Sequence, residues 1–210
     1  MSDAIDGIDS ISTRTKFSYG LGALGKDFAC SIVYLFLMYY YTDVAGVPAA
    51  FVGTLFLVVR MIDAVSDPVM GMIVDNTRSR FGKFRPWIVL GTVINSLALL
   101  ALFSAHLFSD LQLLLFVTVT YIVWGLTYTI MDIPFWSMVP ALSARREERE
   151  RLVVWPRLFA SIAWTIVGTY GLASIAFLGR GEEGRGFLLL SGLIIIAFLA
   201  SALITFSQVK

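Results

Sequence analysis

Six apolar stretches, each about the ~20 residues that a helix needs to cross a bilayer, follow one another along this chain and leave little of its 210 residues over. We place the helices at 17–42, 49–75, 86–106, 112–138, 155–178 and 186–207. The expected fold is an all-α integral membrane protein, a six-transmembrane-helix bundle over 16–210. Residues 1–15, polar and acidic at Asp3, Asp6 and Asp9, read as a disordered cytoplasmic tail with no apolar signal-peptide core, so the first helix would serve as the insertion signal. Composition agrees: 58% of residues are hydrophobic and 15% charged, against about 25% charged in soluble domains. With a net charge of +1 there is no basic field to hold nucleic acid.

The links between helices fix an orientation. Arg14 and Lys16, the group Arg78, Arg80, Lys83 and Arg85, the group Arg145, Arg146, Arg149 and Arg151, and Lys210 all fall on one side. Only Arg180 and Arg185 fall on the other. Positive loops stay cytoplasmic, so both termini are expected inside. The segment 143–151 (SARREERER) reads as a solvated cytoplasmic linker. Cys30, the single cysteine, reads as a small packing residue, and His106 as a loop residue.

The remaining charges lie inside the apolar stretches: Lys26, Arg60 and Arg157 with Asp27, Asp63, Asp67 and Asp132. At the bilayer centre each costs roughly 2.5–3.5 kcal/mol, so Arg60, Asp63 and Asp67 together cost about 9 kcal/mol. The twelve Leu, Ile, Val and Phe residues of 51–74 return only about 4–7 kcal/mol, at ~0.3–0.6 each. These groups must therefore face a bundle interior or a cavity. Arg60, Asp63 and Asp67 share a helix face at i, i+3, i+7, with Pro68 loosening the helix behind them. Two readings follow. A bound Na⁺ or proton would relieve the repulsion of two carboxylates one turn apart. Alternatively, Arg60 and one Asp form a structural ion pair, which leaves the second Asp unexplained.

On the fourth helix Tyr128, Asp132 and Trp136 repeat at i, i+4, i+8 with Thr129 beside them, and the first helix offers Lys26, Asp27, Ser31 and Tyr34. A carboxylate accepts hydrogen bonds from neighbouring sugar hydroxyls, an indole covers the apolar face of a sugar ring, and Arg157 could donate a bidentate pair to the same ligand. The opposing reading makes the aromatics interfacial-belt residues and the charges structural pairs. Asp27 and Asp132 reach comparable depths on oppositely directed helices, so helices 1–3 and 4–6 read as an inverted 3+3 repeat. No metal triad, nucleophile–base pair or phosphate loop is legible, so the chain is not expected to be an enzyme and no cofactor is expected.

The strings KFSYGLGALGKDF (16–28), YYYTDV (39–44), GTLFLVVRMIDAVSDPVMG (53–71), TRSRFGKFRPW (77–87), FSAHLF (103–108) and WGLTYTIMDIPFWSMVP (124–140) resemble the glycoside–pentoside–hexuronide:cation symporters of the major facilitator superfamily. The resemblance implies cation-coupled symport of a glycoside, such as melibiose or another galactoside, by alternating access in a bacterial inner membrane. It implies that Asp27 and Asp132 anchor sugar hydroxyls, that Lys26, Tyr34, Tyr128, Trp136 and Arg157 complete the sugar pocket, and that Asp63, Asp67 and Thr129 hold the coupling cation. The family has Asn at the place of Ser66; a hydroxyl reaches less far than an amide carbonyl, which turns the expected cation from Na⁺ towards Li⁺ or H⁺. The family also has twelve helices. Six would make one half of a major facilitator fold, to be read as a fragment, a truncated frame or a half-transporter pairing with a second half or with itself. The rival class is a non-transporting membrane scaffold or regulatory subunit.

Overall fold

The computed structural model describes residues 11–143 and 145–208. Six helices carry them: α1 (Thr13–Tyr39), α2 (Ala49–Asn76), α3 (Arg85–Leu102), α4 (Asp110–Leu142), α5 (Arg146–Gly179) and α6 (Glu183–Gln208). A π turn at Tyr40–Val44 extends α1, and a 3₁₀ turn at Ala105–Leu107 precedes α4. All six are long and apolar enough to cross a membrane, and the described residues contain no strand. Four internal prolines, Pro68, Pro134, Pro140 and Pro156, lie within helices that continue through them.

Several boundaries differ from those expected. Helix α1 begins at Thr13, inside the segment read as a disordered tail, because the Ser12 hydroxyl caps it by accepting from the Thr15 N–H at 3.1 Å. The rest of that tail, 1–10, and Lys210 lie outside the described residues. Most of the segment read as a linker is helix: Arg146–Arg151 form the opening turns of α5. Glu147 and Glu148 suit the positive end of the helix dipole there, and Arg146 and Glu150 pair at i, i+4. Conversely, α3 stops at Leu102 rather than near 106, which places His106 in the 3₁₀ turn.

The helices pair with an internal symmetry. Helix α1 packs on α5 and α6, while α4 packs on α2 and α3. Exchanging the first three helices for the last three, in order, turns these pairings into one another, as in an inverted repeat, whereas the α5–α6 packing has no comparable α2–α3 counterpart among the described residues. Close approach at small residues makes this possible. A Cβ at Gly25 of α1 would fall 2.0 Å from the Ser201 hydroxyl of α6, and one at Gly91 of α3 would fall 2.7 Å from Cβ of Met131 on α4. One end of the bundle brings Lys16 to Glu148 and Phe81 to Phe206. The opposite end brings Tyr39 to Glu183 and Tyr40 to His106.

Helix α2 is covered on one side only. Its buried positions are Val52, Leu55, Val59, Met70 and Val74, while Leu57, Met61, Val65 and Met72 are largely exposed.

Candidate functional site

Six of the seven charges expected inside the bundle gather between α1, α2 and α4. A cavity of about 220 Å³ is lined by Tyr34 of α1, Arg60, Asp63 and Asp67 of α2, and Trp124, Gly125, Tyr128, Thr129, Asp132 and Ile133 of α4. Larger hollows occur near the helix ends, but among the described residues these lack the three carboxylates, guanidinium and aromatic wall joined here.

On α2 the Arg60 guanidinium stands 3.2 Å from Asp63 Oδ2 and donates to the Tyr34 hydroxyl at 2.5 Å. Asp67, one turn further on, is not paired with Arg60; its Oδ1 accepts from the Thr129 hydroxyl of α4 at 2.9 Å. The other Asp63 oxygen, Oδ1, is buried without a hydrogen-bond partner among the described residues. A buried carboxylate oxygen left so is costly, and next to a second carboxylate it is a natural ligand for a hard cation.

On the α1 side of the cavity Lys26 is almost wholly buried, 3% exposed. Its ammonium lies 2.5 Å from Asp132 Oδ1 and 3.8 Å from Asp27 Oδ2. The rings of Tyr128, Phe135 and Trp136 surround it, with centroids 5.1–5.8 Å away. Asp27 Oδ1 accepts from the Trp164 indole of α5 at 3.1 Å. Lys26 thus fixes two carboxylates from neighbouring helices, and Asp132 turns into the cavity. The six charges of this cluster, Lys26 and Arg60 against Asp27, Asp63, Asp67 and Asp132, sum to −2 with every carboxylate ionised.

Two expected residues are not brought here. Arg157 lines a separate hollow with Arg149, Glu150, Val139 and Pro140. The reason is depth rather than face: Trp164, which does reach the site, follows Arg157 by seven residues, or two helical turns and about 10.5 Å. Ser66 does not line the cavity either; its hydroxyl bonds back to the Asp63 carbonyl of its own helix at 3.4 Å. Trp136 contributes by flanking Lys26 and is absent from the cavity wall.

Three further residues were not anticipated. Trp164 orients Asp27. Trp124 stacks between Tyr121 and Tyr128 and sets its edge against Tyr34. Asn95 of α3, fully buried, donates to the Trp124 carbonyl at 2.9 Å and to the Thr127 hydroxyl at 3.0 Å, and so holds α4 behind the cavity. An amide in the apolar run of α3 carries the same sequence signal as a buried charge, since lipid leaves it without partners.

Comparison with known proteins places this arrangement. Residues 18–210 match the family described as MFS/sugar transport protein. An isoprimeverose transporter of Lactiplantibacillus pentosus is 32% identical over 201 residues, covering 93% of this chain and 41% of that protein. The inner membrane symporter YicJ of Escherichia coli (strain K12) is 31% identical over 196 residues, 93% of this chain and 42% of its own length. A glucuronide carrier protein homolog from the same strain is 38% identical over 160 residues, 73% of this chain and 34% of that protein. The chain spans about two fifths of the length of the curated relatives it matches. Matched across almost its entire sequence, with its intramembrane charges gathered between three helices, the chain belongs to the MFS/sugar transport protein family, whose members are transporters and not enzymes.

Proposed function

We propose that this chain supplies the N-terminal six-helix half of a cation-coupled sugar symporter, with Asp63 and Asp67 binding the coupling cation and Asp27 and Asp132 binding the sugar. The observation that carries the reading is the partnerless buried Oδ1 of Asp63 in the same cavity as Asp67 and Asp132. The surplus negative charge of the cluster attracts a cation, and the relatives named as symporters and sugar transporters support the same reading.

Each group has a part. Arg60 offsets one carboxylate and leaves Asp67 and one Asp63 oxygen for Na⁺, Li⁺ or H⁺. Thr129 donates to Asp67 and keeps its lone pairs available. Lys26 holds Asp132 so that its remaining oxygen accepts from sugar hydroxyls, while Tyr34 and Tyr128, backed by the stacked Trp124, wall the cavity beside it. Asp132 shares one cavity with the cation carboxylates, and whatever factor the cation contributes to sugar binding, the sugar returns to cation binding. The substrate favoured is a neutral galactoside such as melibiose. Both termini lie in the cytoplasm, in a bacterial inner membrane. A second six-helix bundle, from a longer chain or a second copy, covers the exposed face of α2 and closes the cavity.

The test is sugar binding to the purified chain joined to a second six-helix bundle in lipid nanodiscs, read by tryptophan fluorescence with melibiose as probe. Titrations run in Na⁺, Li⁺ and choline and at two pH values. Tighter binding with one of the cations is the expected result. Melibiose affinity that is identical under every condition would remove the cation from the mechanism, and no binding at all would remove the sugar site.

A further inference from the structure

At the Lys16–Glu148 end of the bundle, outside the central site, lies a hollow of about 390 Å³ between the α2–α3 loop and the end of α4. Its rim is basic: Arg80, Lys83 and Arg85. Its floor is apolar: Phe81, Phe84 and Met138, with Ala141 beside them. Each cation is held against an aromatic face: Arg80 over Phe81 at 4.7 Å, Lys83 over Phe84 at 5.4 Å, and Arg85 over Phe206 of α6 at 5.6 Å. Such stacking fixes the Arg80 guanidinium without cancelling its charge. Asp75 reaches Lys83 at 2.6 Å, but that carboxylate is 75% exposed and stands outside the hollow.

The loop is a built structure. Gly82 turns it at φ +90°, the Ser79 hydroxyl accepts from the Phe81 N–H at 3.1 Å, and the Trp87 indole donates to the Thr77 hydroxyl at 2.8 Å. Apolar surface leads away from the rim into the span. Leu90 and Val93 of α3 and Leu203 of α6 are exposed within one or two helical turns of Arg85 and Phe206.

We infer that this hollow binds the phosphodiester headgroup of an anionic membrane phospholipid, with an acyl chain lying along the exposed face of α3 and α6. Arg80 and Lys83, each fixed against a ring of the hollow, match a phosphate anion. The apolar floor and the adjoining lipid-facing helices match glycerol and chain, and a basic pocket between spans at a membrane boundary is where such headgroups are recognised. The assignment does not depend on which sugar or cation the protein carries.

The test uses the full chain in detergent with phosphatidylglycerol or phosphatidylcholine added, and lipid retention read by native mass spectrometry. The parent chain is expected to retain phosphatidylglycerol in preference to phosphatidylcholine. Arg80→Gln/Lys83→Gln should lose at least about fivefold of that retention, whereas Arg146→Gln/Arg151→Gln, with the same change in charge outside the hollow, should keep it. Ala141→Phe fills the hollow without touching a charge and should also lose retention. Inorganic phosphate is the second arm: if it displaces the lipid or raises the melting temperature as much as phosphatidylglycerol does, the site takes a soluble phosphate and the lipid assignment falls. Equal retention by the parent, the Arg80/Lys83 variant and the Ala141 variant would likewise overturn it.

Discussion

The ammonium of Lys26 lies 2.5 Å from the carboxylate of Asp132 and ties α1 to α4 at the heart of the bundle. With Lys26 only 3% exposed, removing it leaves Asp132 and Asp27 without their shared cation. Lys26→Met is therefore expected to destabilise the folded bundle by about 3–5 kcal/mol. Lys26→Met/Asp132→Asn should recover part of that loss, because only Asp27, which keeps its hydrogen bond from the Trp164 indole, is then left without its cation. Thermal unfolding of both variants in one detergent checks this. A double variant no more stable than Lys26→Met would show that the pair is not coupled.

On the α2 side of the cavity the predicted effect is on ligand rather than fold. Asp67 accepts from Thr129 and has no cation of its own, while Arg60 serves Asp63. Asp67→Asn should leave the protein inserted and reduce any Na⁺ or Li⁺ stimulation of sugar binding at least about tenfold, about 1.4 kcal/mol of lost coupling. Thr129→Val should act in the same direction and more weakly, since it leaves both carboxylates in place. The measurement is sugar affinity with each cation and with choline. An unchanged cation effect in Asp67→Asn would return Arg60, Asp63 and Asp67 to a structural role.

Much of this was legible because lipid penalises polar groups so heavily that position alone exposes them. Asp63, Asp67 and Asp132 stood out in apolar runs, and they meet in one cavity. Arg157 stood out equally, yet lines another hollow. Helical phase reads from spacing, whereas depth depends on how far α5 slides along its neighbours, and no spacing rule contains that. Ser66 illustrates a second limit. Asp63 and Asp67, which flank it along the helix, are both cavity residues, but a hydroxyl in a helix can satisfy itself on a carbonyl a turn earlier. Helix ends were hardest at 146–151, where mixed charges read as a solvated linker although the same charges pair along the opening turns of α5.

Orientation is open to a direct test. In a Cys30→Ser background, cysteine at Gly46 or Gly181 should react with an impermeant thiol reagent added to intact cells, and cysteine at Ser79 should not. Both glycines occupy turns at positive φ, so labelling should be compared with that of denatured protein to correct for local strain. Labelling of the Ser79 position alone from outside would invert the proposed topology.

The α5–α6 hairpin gives two glycines of one helix opposite fates. A Cβ at Gly186 would lie 2.2 Å from the carbonyl oxygen of Ile175 and 2.9 Å from its carbonyl carbon. These are backbone atoms of α5, so relief requires the helices to separate rather than a side chain to turn. A Cβ at Gly192 meets nothing within 4 Å. Gly186→Ala is therefore expected to destabilise the bundle by about 1–3 kcal/mol, the ordinary cost of overpacking. Gly192→Ala removes a flexible residue from a helix interior with no contact to offend, and should stabilise by about 0.4–1 kcal/mol. The two substitutions add the same methyl group to the same helix, so differences in hydrophobicity or expression cancel. Unfolding of the two variants against the parent in one detergent decides the matter: opposite signs confirm the close approach of α5 and α6 at Gly186, and a common sign would mean that α6 is not held there against α5.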